Sequence, residues 1–388
     1  MRGNGGGKSS RISRGQTLCL VAPGVYPLLM QTNPKNVIGP DVHLFLLANE
    51  LLRHDFDITF ITYDTRISLL HNYDEKFNII TIPSKSYNFS MLTILIKVIW
   101  IWNAMRKCNA NIFIHAGSVS GPVSLFCKIA NRKFIYSIGS DALVNRKLVS
   151  RNIKGFCHSK FNISSFGNWL DIHLANAIIV QSEYQKTMLE RNYCRKGIVI
   201  KMPFPIINGK MPEKTNPPIV LWVGSMAEVK QPHLFLKLAE AIPNAKFQMI
   251  GGRSSDEELY NTIYGLSRKV SNLEFLGVVP FSEIDKYFCR ASILVNTSIF
   301  EGFPNAFIQA WMHYVPVISL NADPDNIICN NKLGFHSKTL DKMVEDLGIL
   351  LNDEKMREEM GRNAREYTER EHNIDLLINK YIEIFNQC

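Results

Sequence analysis

The feature that most constrains the fold is the alternation of short apolar runs with helical patterns along the chain. Residues 17–22 (TLCLVA) predict a strand, and residues 41–53 (DVHLFLLANELLR) predict an amphipathic helix with Asp41 as its N-cap. Further strands are predicted at 58–63, 77–82, 112–116, 134–138, 177–181, 219–223, 247–250, 273–276, 293–296 and 317–320. Strands that alternate with helices in this way predict an α/β protein with parallel, doubly wound sheets.

A proline-rich segment divides this pattern into two domains. Residues 203–218 (PFPIINGKMPEKTNPP) contain five prolines, which block helix continuation and strand pairing, so they predict a linker. We expect a disordered tail at 1–16, an N-terminal domain at 17–202, a second domain at 219–370, and a C-terminal helix at 371–388 that can pack back on the first domain. Ligands of doubly wound sheets bind at the carboxyl ends of the strands, so we expect function in the cleft between the domains.

Cysteine usage and the N-terminal residues bear on the compartment. The eight cysteines form no Cys-x-x-Cys pair and no Cys/His spacing typical of a metal site, and no secretory signal precedes the first strand. These features predict reduced thiols, a cytoplasmic protein and no bound metal or other cofactor. The GGGKSS of the tail has the wrong spacing for a phosphate loop.

Charge is distributed unevenly between the two halves. Residues 1–205 contain 25 Lys and Arg against 11 Asp and Glu, whereas residues 206–388 contain 19 and 24. The basic first half predicts contact with an anionic partner. It has no recognised nucleic-acid motif, which favours a phosphate-bearing substrate or an anionic membrane surface, such as the inner face of the cell membrane.

The most hydrophobic stretch, residues 91–105 (MLTILIKVIWIWNAM), contains Lys97 and is too short to span a bilayer comfortably. It predicts a buried or half-buried helix. The alternative is a helix that lies on a membrane surface, because two tryptophans stand close to basic residues.

The loop after the predicted strand at 293–296 carries the strongest chemical signal. Residues 301–305 (EGFPN) run directly into a predicted helix. Gly302 permits a tight turn, and Pro304 suits the first turn of a helix. N–H groups at this helix start would favour an anion such as a diphosphate, and Glu301 can accept hydrogen bonds from hydroxyl groups. The alternative is an ordinary helix start with Glu301 as a loop acid.

A second loop of this kind follows the predicted strand at 219–223. Gly224 makes the turn, and Lys230 stands before the helix at 232–241. A lysine at the mouth of a strand–loop–helix unit can neutralise phosphate charge, although a solvated lysine is an equal alternative.

The first half offers weaker candidates. Gly39 precedes a helix and can face a phosphate or form a plain turn. Ser140 and Asp141 follow a strand, where they can contact sugar hydroxyls or act as an N-cap. His115 ends a strand and can face the cleft, although a histidine in an apolar strand is more often packed.

These segments resemble glycosyltransferase family 4, whose members are retaining enzymes with the GT-B fold, two Rossmann-like domains that face a central cleft. The family hallmark EGFPxxxxEAxxxGxPVV corresponds here to EGFPNAFIQAWMHYVPVIS, and its Gly-x-x-x-x-x-Lys loop corresponds to residues 224–230. Other matching segments are QMIGG, LEFLGVVPFSEIDKYFCRASILVNTS and ANAIIVQSEYQKTML. The resemblance is strong over residues 170–320 and weaker over 17–170, and the DPD at 323–325 is similar to a bacterial polysaccharide-biosynthesis subgroup.

The resemblance implies catalytic roles for Glu301, which would hold the donor sugar, and Lys230, which would bind the donor diphosphate. It implies a metal-independent reaction in which Lys230 and the helix N-terminus stabilise the leaving nucleoside diphosphate. The donor-binding residues that it implies are Gly39, Gly224, Ser225, Lys230, Val278, Val279, Pro280, Glu301, Gly302, Phe303, Pro304, Asn305 and Gln309.

The sequence departs from the family pattern at several of these positions. Gln309 replaces the second glutamate of the hallmark, and a glutamine holds ribose hydroxyls less strongly than a carboxylate does. Ser225 replaces the usual arginine, which removes one cation from the diphosphate site. The common Gly-Gly of the first loop is Gly39-Pro40, and Ile138 replaces a histidine.

Two hypotheses follow for the activity. The first is a retaining glycosyltransferase that moves a sugar from a UDP- or GDP-sugar to a glycan or lipid-linked acceptor in envelope polysaccharide assembly. The alternative is a catalytically weak protein that binds nucleotide sugar and acts as a scaffold in a glycan-assembly complex, as Gln309 and Ser225 suggest. A sugar-nucleotide epimerase, which shares the fold, is a distant third.

Overall fold

A computed structural model describes residues 16–30, 39–64, 76–83, 91–116, 120–145, 148, 163–207, 209–253 and 256–388. The tail expected at 1–16 lies outside the described residues except for Gln16, and so does the loop at 33–38. The described chain contains two parallel sheets, of seven and six strands, with helices between successive strands. This confirms the predicted α/β class and its two doubly wound sheets.

The first sheet is built by the N-terminal half. Its strands are β1 (Thr17–Val21), β2 (Asp57–Asp64), β3 (Asn78–Pro83), β4 (Ile112–His115), β5 (Lys133–Ile138), β6 (Ala177–Val180) and β7 (Ile198–Val199). They are parallel in the order β3-β2-β1-β4-β5-β6-β7. Helices described in this half are α1 (Tyr26–Leu29), α2 (Gly39–Arg53), α3 (Met91–Lys107), α4 (Pro122–Ile129), α5 (Asp141–Val144), α6 (Ile163–Leu174) and α7 (Glu183–Tyr193).

The second sheet is built by the C-terminal half. Its strands are β8 (Ile219–Val223), β9 (Lys246–Ile250), β10 (Leu273–Gly277), β11 (Ile293–Asn296), β12 (Val317–Ser319) and β13 (Gly334–His336). They are parallel in the order β10-β9-β8-β11-β12-β13. The helices are α8 (Pro232–Ala241), α9 (Glu257–Ser267), α10 (Asp285–Arg290), α11 (Asn305–Met312), α12 (Ile327–Asn330), α13 (Leu340–Asn352), α14 (Glu354–Glu371) and α15 (Ile374–Gln387), with short 3₁₀ helices at Glu228–Lys230, Phe281–Glu283 and Pro324–Asn326.

The strand order fixes where each sheet can bind a ligand. In both sheets the order reverses beside the first strand of that sheet, between β1 and β4 and between β8 and β11. The loops that follow two such strands diverge to opposite faces and leave a crevice at the carboxyl ends. The loops after β8 and β11 are those that contain Lys230 and Glu301.

The C-terminal helix α15 packs against α2 of the first domain. His43 Nε2 lies 3.0 Å from the Tyr381 hydroxyl, and the rings of Phe56 and Phe385 meet edge to face at 5.9 Å. Just before α15 the chain runs beside the segment that follows β7, where Phe204 N donates to His372 O at 2.8 Å and Ile374 N donates to Phe204 O at 3.0 Å. The two domains are therefore joined twice along the chain.

Several predicted boundaries differ from the structure. Helix α2 begins at Gly39, so Asp41 is a buried residue of its first turn and not the N-cap. The helical region at 340–387 is three helices, because the Asp353 side chain accepts from Met356 N and Asn373 accepts from Asp375 N, and each thereby caps a new helix. None of the helices in the described ranges is long and apolar enough to cross a bilayer.

Replacing Phe385 with Ala is expected to destabilise the protein by about 3–5 kcal/mol, because the ring is 1% exposed and its loss leaves a cavity between α15 and the first domain. The measurement is the urea midpoint followed by tryptophan fluorescence. Leu376→Ala is the matched control, because Leu376 lies on the same helix and is 59% exposed. Equal midpoints for the two variants would contradict the packing described for α15.

Candidate active site

A cavity of about 740 Å³ lies between the carboxyl ends of the two sheets. The first domain lines it mainly with the start of α2 and with residues that follow β4, β5 and β6. The second domain lines it with the loops that follow β8, β9, β10 and β11 and with the start of α11. The residues from the first domain are Gly39, Pro40, Val42, His43, Ala116, Gly139 and Gln181.

An ion pair between Lys230 and Glu301 is the main polar feature of the cavity wall that the second domain forms. Lys230 Nζ donates to Glu301 Oε1, and the same oxygen accepts from Ser298 Oγ at 2.6 Å and from Asn296 Nδ2 at 3.5 Å. The Glu301 side chain is 12% exposed and that of Lys230 is 25% exposed. The carboxylate is thus held in one orientation by three donors while its residue still faces the cavity.

The two loops are also joined through their backbones. Thr297 Oγ1 donates to Lys230 O at 2.7 Å and accepts from Trp222 Nε1 at 3.0 Å, and Ile299 N donates to Val229 O at 2.8 Å. Because β8 and β11 are neighbours in the sheet, loops that are about seventy residues apart in sequence meet here. The position of the Lys230 ammonium therefore depends on the loop that carries Glu301.

The start of α11 faces the cavity. The helix begins at Asn305, so Pro304 is its N-cap and not a residue of the first turn as the sequence predicted. Proline has no side-chain acceptor, so it caps no N–H group, and Asn305 and Ala306 both line the cavity. Asn305 Nδ2 also donates to Gly39 O at 3.2 Å, across the cleft. The positive end of the helix is available to an anion in the cavity.

Gly302 lies at a close approach between the domains. A Cβ atom at this position would lie 2.3 Å from Gly139 O, and the backbones of Ser140 and Gly302 form an antiparallel bridge. Only glycine permits this contact. Gly302 therefore brings the domains together and does not line the cavity.

Ser140 and Asp141 do not line the cavity either. Ser140 is the N-cap of α5, where its Oγ accepts from Ala142 N, which is the alternative that the sequence left open. Asp141 Oδ1 accepts from Gln185 Nε2 at 3.0 Å. Burial raises the pKa of Asp141 to about 7, the hydrogen bond from Gln185 opposes the shift, and the charges of Glu301 and Asp325 add to it.

The prediction that His115 contacts sugar was wrong, because its side chain is packed inside the sheet. It is fully buried at the end of the central strand β4, with Nδ1 3.1 Å from Val21 O and its ring stacked on Tyr136. Burial lowers the pKa of His115 to about 4. Pro280 also lies off the cavity wall, as the N-cap of the 3₁₀ helix Phe281–Glu283, although Val278 and Val279 line the cavity.

Most of the residues proposed for donor binding surround the same cavity. Those that line it are Gly39, Gly224, Ser225, Lys230, Val278, Val279, Glu301, Phe303, Pro304, Asn305 and Gln309. Gln309 is buried on α11, at the position where the resemblance expects a glutamate. The structure brings these residues together from loops that follow four different strands.

Several lining residues were missed by the sequence analysis. His43 lies on α2 within a run of apolar residues, and burial lowers the pKa of its imidazole to about 4. Arg253 follows β9, and its backbone pairs with Met226 beside Ser225. The Gly-Gly that precedes Arg253 was the available signal, because it marks a loop at the carboxyl end of a strand. Arg253 lines the cavity on the side of Ser225, and its guanidinium forms an ion pair with Glu257 and lies over the ring of Tyr260.

Asp325 joins the domains beside the cavity. Its two carboxylate oxygens accept from Glu183 N at 2.9 Å and from Tyr184 N at 3.0 Å, at the start of α7. Asp325 belongs to the DPD segment and has φ 52°, a left-handed conformation in which aspartate is among the tolerated residues. The DPD segment is therefore a domain contact.

Comparison with known proteins gives a family for the second domain and a fold for the whole chain. Residues 204–367 match the family described as "Glycosyl transferases group 1". An uncharacterized glycosyltransferase of Methanocaldococcus jannaschii is 25% identical over 60% of this chain. The matched residues span 62% of that protein. The capsular polysaccharide biosynthesis glycosyltransferase CapM of Staphylococcus aureus is 23% identical, over 87% of this chain and 91% of CapM.

Among solved structures, Anabaena HepE in complex with UDP and glucose superposes with a TM-score of 0.70 at 12% identity, over 96% of this chain and 100% of HepE. At this identity the likeness shows the fold alone. It agrees with the GT-B arrangement of two parallel-sheet domains around a cleft.

Asp141→Asn is expected to stabilise the protein by about 1 kcal/mol or more at pH 8, and by much less near pH 4. The raised pKa means that the folded state holds the Asp141 proton more tightly than the unfolded state does. Stability therefore falls as pH rises from about 4 to about 7, and the whole penalty is present above pH 7. The asparagine keeps an acceptor for Gln185 and has no charge to desolvate.

The measurement is the Tm of both proteins across this pH range. A difference in Tm that does not change between pH 4 and pH 8 would contradict the account of Asp141.

Proposed function

We propose that this chain is a group 1 glycosyl transferase, of glycosyltransferase family 4, that transfers a hexosyl group from a nucleoside-diphosphate sugar to a glycan or lipid-linked acceptor. The observation that carries the proposal is the Lys230–Glu301 pair beside the start of α11, on the wall of the cleft. A cation, a fixed carboxylate and an uncapped helix start are the groups that a sugar diphosphate requires.

In the proposed reaction the bond between the anomeric carbon of the sugar and the diphosphate breaks, and an acceptor hydroxyl oxygen bonds to that carbon. The hydroxyl proton passes to the departing diphosphate, on whose oxygens negative charge develops. Lys230 and the N–H groups of Asn305 and Ala306 would stabilise that charge, because they are already in place before the reaction begins. Arg253 would supply the cation that Ser225 does not. Glu301, held by three donors, would accept hydrogen bonds from hydroxyl groups of the donor sugar.

We propose that this chemistry retains the anomeric configuration and requires no metal ion. Among the described residues that line the cavity, Glu301 has the only carboxylate, and it is already paired with Lys230. Hard divalent cations that bridge diphosphates are usually held by carboxylates in addition to the phosphates. Here the positive charge comes from side chains and from the helix.

The donor is proposed to be a UDP- or GDP-sugar, with its base near Val278 and Val279. The UDP in the HepE structure and the capsular polysaccharide role in the name of CapM support a nucleotide-sugar donor and envelope polysaccharide assembly. The acceptor would enter from the side of the first domain, where His43 and Gln181 line the cavity.

A catalytically weak scaffold is the second candidate, because Gln309 and Ser225 depart from the family pattern. Gln309 can still accept and donate hydrogen bonds to ribose hydroxyls. Arg253 favours the active enzyme over the scaffold, since its guanidinium can exchange the exposed Glu257 carboxylate for a diphosphate on this side of the cavity.

We further propose that the first domain binds an anionic membrane through the helix layer α3, α4 and α6, which would place the protein at the cytoplasmic face. These helices pack side by side along one face of the first sheet. Their exposed apolar side chains are Leu95, Ile99, Leu125, Ile129, Phe166 and Trp169. Their single acidic residue, Asp171, is buried, whereas Arg106, Lys107 and Lys128 are exposed. An apolar face ringed by basic groups fits an anionic bilayer.

Glu301→Gln and Lys230→Ala are each expected to lower kcat by about 100-fold, because each removes a group that acts on the developing charge or on the donor sugar. The measurement is nucleoside diphosphate release from a panel of UDP-, GDP- and ADP-sugars, with and without acceptor lipid and in the presence of EDTA. Lys237→Ala is the matched control, an exposed lysine on α8 that lies off the cavity.

Wild-type rates in Glu301→Gln would refute the assigned role. Tight nucleotide binding without turnover of any donor would favour the scaffold. Loss of all turnover in EDTA would contradict the metal-independent reaction.

Phe166→Ser and Ile129→Ser are expected to weaken binding to phosphatidylglycerol vesicles several-fold, and added salt is expected to weaken the wild type as well. Flotation of the protein with vesicles measures both effects. Ile349→Ser removes a comparably exposed apolar side chain from α13 of the second domain and serves as the control. Equal binding of the wild type to neutral and anionic vesicles would contradict this proposal.

A further inference from the structure

Three side chains of different chemistry meet behind the turn that carries Asp325. Asp323 follows β12, Cys329 lies on α12, and His336 ends β13. One ligand atom from each of the three lies within 4.8 Å of the other two. Asp323 Oδ2 and His336 Nδ1 are 3.7 Å apart. None of the three lines the cavity of the proposed active site.

The Asp323 carboxylate is buried, and only one of its two oxygens accepts a hydrogen bond of standard geometry from the described residues. Its side chain is 1% exposed, and Oδ1 accepts from Ile328 N at 2.8 Å. Among the described residues Oδ2 is buried without a hydrogen bond of standard geometry, and the Cys329 thiol and the His336 imidazole lie beside the carboxylate. A buried carboxylate oxygen without a donor is costly unless a cation compensates it. This oxygen faces the imidazole of His336.

The ligand types and their spacing fit zinc. Thiolate, imidazole and carboxylate are zinc ligands, whereas calcium and magnesium prefer oxygen ligands alone. The usual zinc bond lengths in a tetrahedron place ligand atoms about 3.4–3.6 Å apart. The Asp323–His336 distance is already close to this value, and a side-chain rotation of Cys329, which is exposed on the short helix α12, can bring in the third ligand.

We propose that Asp323, Cys329 and His336 bind one Zn²⁺ ion, with a water molecule as the fourth ligand. Through its three protein ligands the ion connects α12 and the end of β13 to the turn at 323–326. That turn presents the Asp325 carboxylate to Glu183 N and Tyr184 N of the first domain. Zinc at this site thereby stabilises a contact between the two domains, at a distance from the reacting groups.

The test is a titration of the full chain with Zn²⁺ against a chromogenic chelator. One equivalent is expected to bind to the wild type, and Cys329→Ser and His336→Asn are each expected to weaken binding by more than about 100-fold. Cys194→Ser is the matched control, because Cys194 is also an exposed thiol but lies away from the cluster, directly after α7. It is expected to bind zinc as the wild type does.

Substitution with Co²⁺ gives a second readout that separates ligation from folding. A thiolate-to-cobalt charge-transfer band is expected in the wild type and in Cys194→Ser, and it should be absent from Cys329→Ser at an unchanged Tm of the metal-free protein. Zinc affinity that is the same in Cys329→Ser and the wild type, or a cobalt band that survives that substitution, would overturn the proposal.

Discussion

The site depends on one constraint of chain topology, the parallel pairing of β8 with β11. These strands are neighbours at the point where the strand order reverses, so the loops that follow them open toward the same crevice. Lys230 and Glu301 stand on those two loops and form an ion pair with the help of Ser298 and Asn296. A change in the pairing of these strands would separate the cation from the carboxylate and leave both without function.

The shape of the cleft depends on direct contacts between the two domains along its edge. Gly302 meets Gly139 backbone to backbone, Asn305 donates to Gly39 O, and Asp325 caps α7. Helix α15 adds a hydrophobic contact on the other side, where it packs against α2. The loop that presents Glu301 to the cavity therefore also contacts the first domain, so any ligand held by this loop is physically linked to the arrangement of the domains.

Much of this architecture could be predicted from the sequence, because buried parallel strands are read as short apolar runs and their helices as amphipathic segments. Strand β11 was predicted at its observed bounds for that reason. Strands β7 and β13 were not predicted, because β7 has only two residues and β13 has a single apolar residue between a glycine and a histidine. The residues around the cavity were predicted from loop positions and from the family resemblance, whereas side-chain packing could not be decided from the sequence. His115 was a candidate for the cleft with a packed histidine as the alternative, and the structure buries it. The cluster of Asp323, Cys329 and His336 joins three elements and has no signature in local spacing.

We propose that Lys230 and the start of α11 receive the donor diphosphate inside this cavity. The sharpest test is a crystal structure of the chain soaked with UDP. We expect diphosphate oxygens within hydrogen-bonding distance of Lys230 Nζ and of the N–H groups of Asn305 and Ala306. A nucleotide bound outside the cavity, or one whose diphosphate lies away from Lys230, would contradict it.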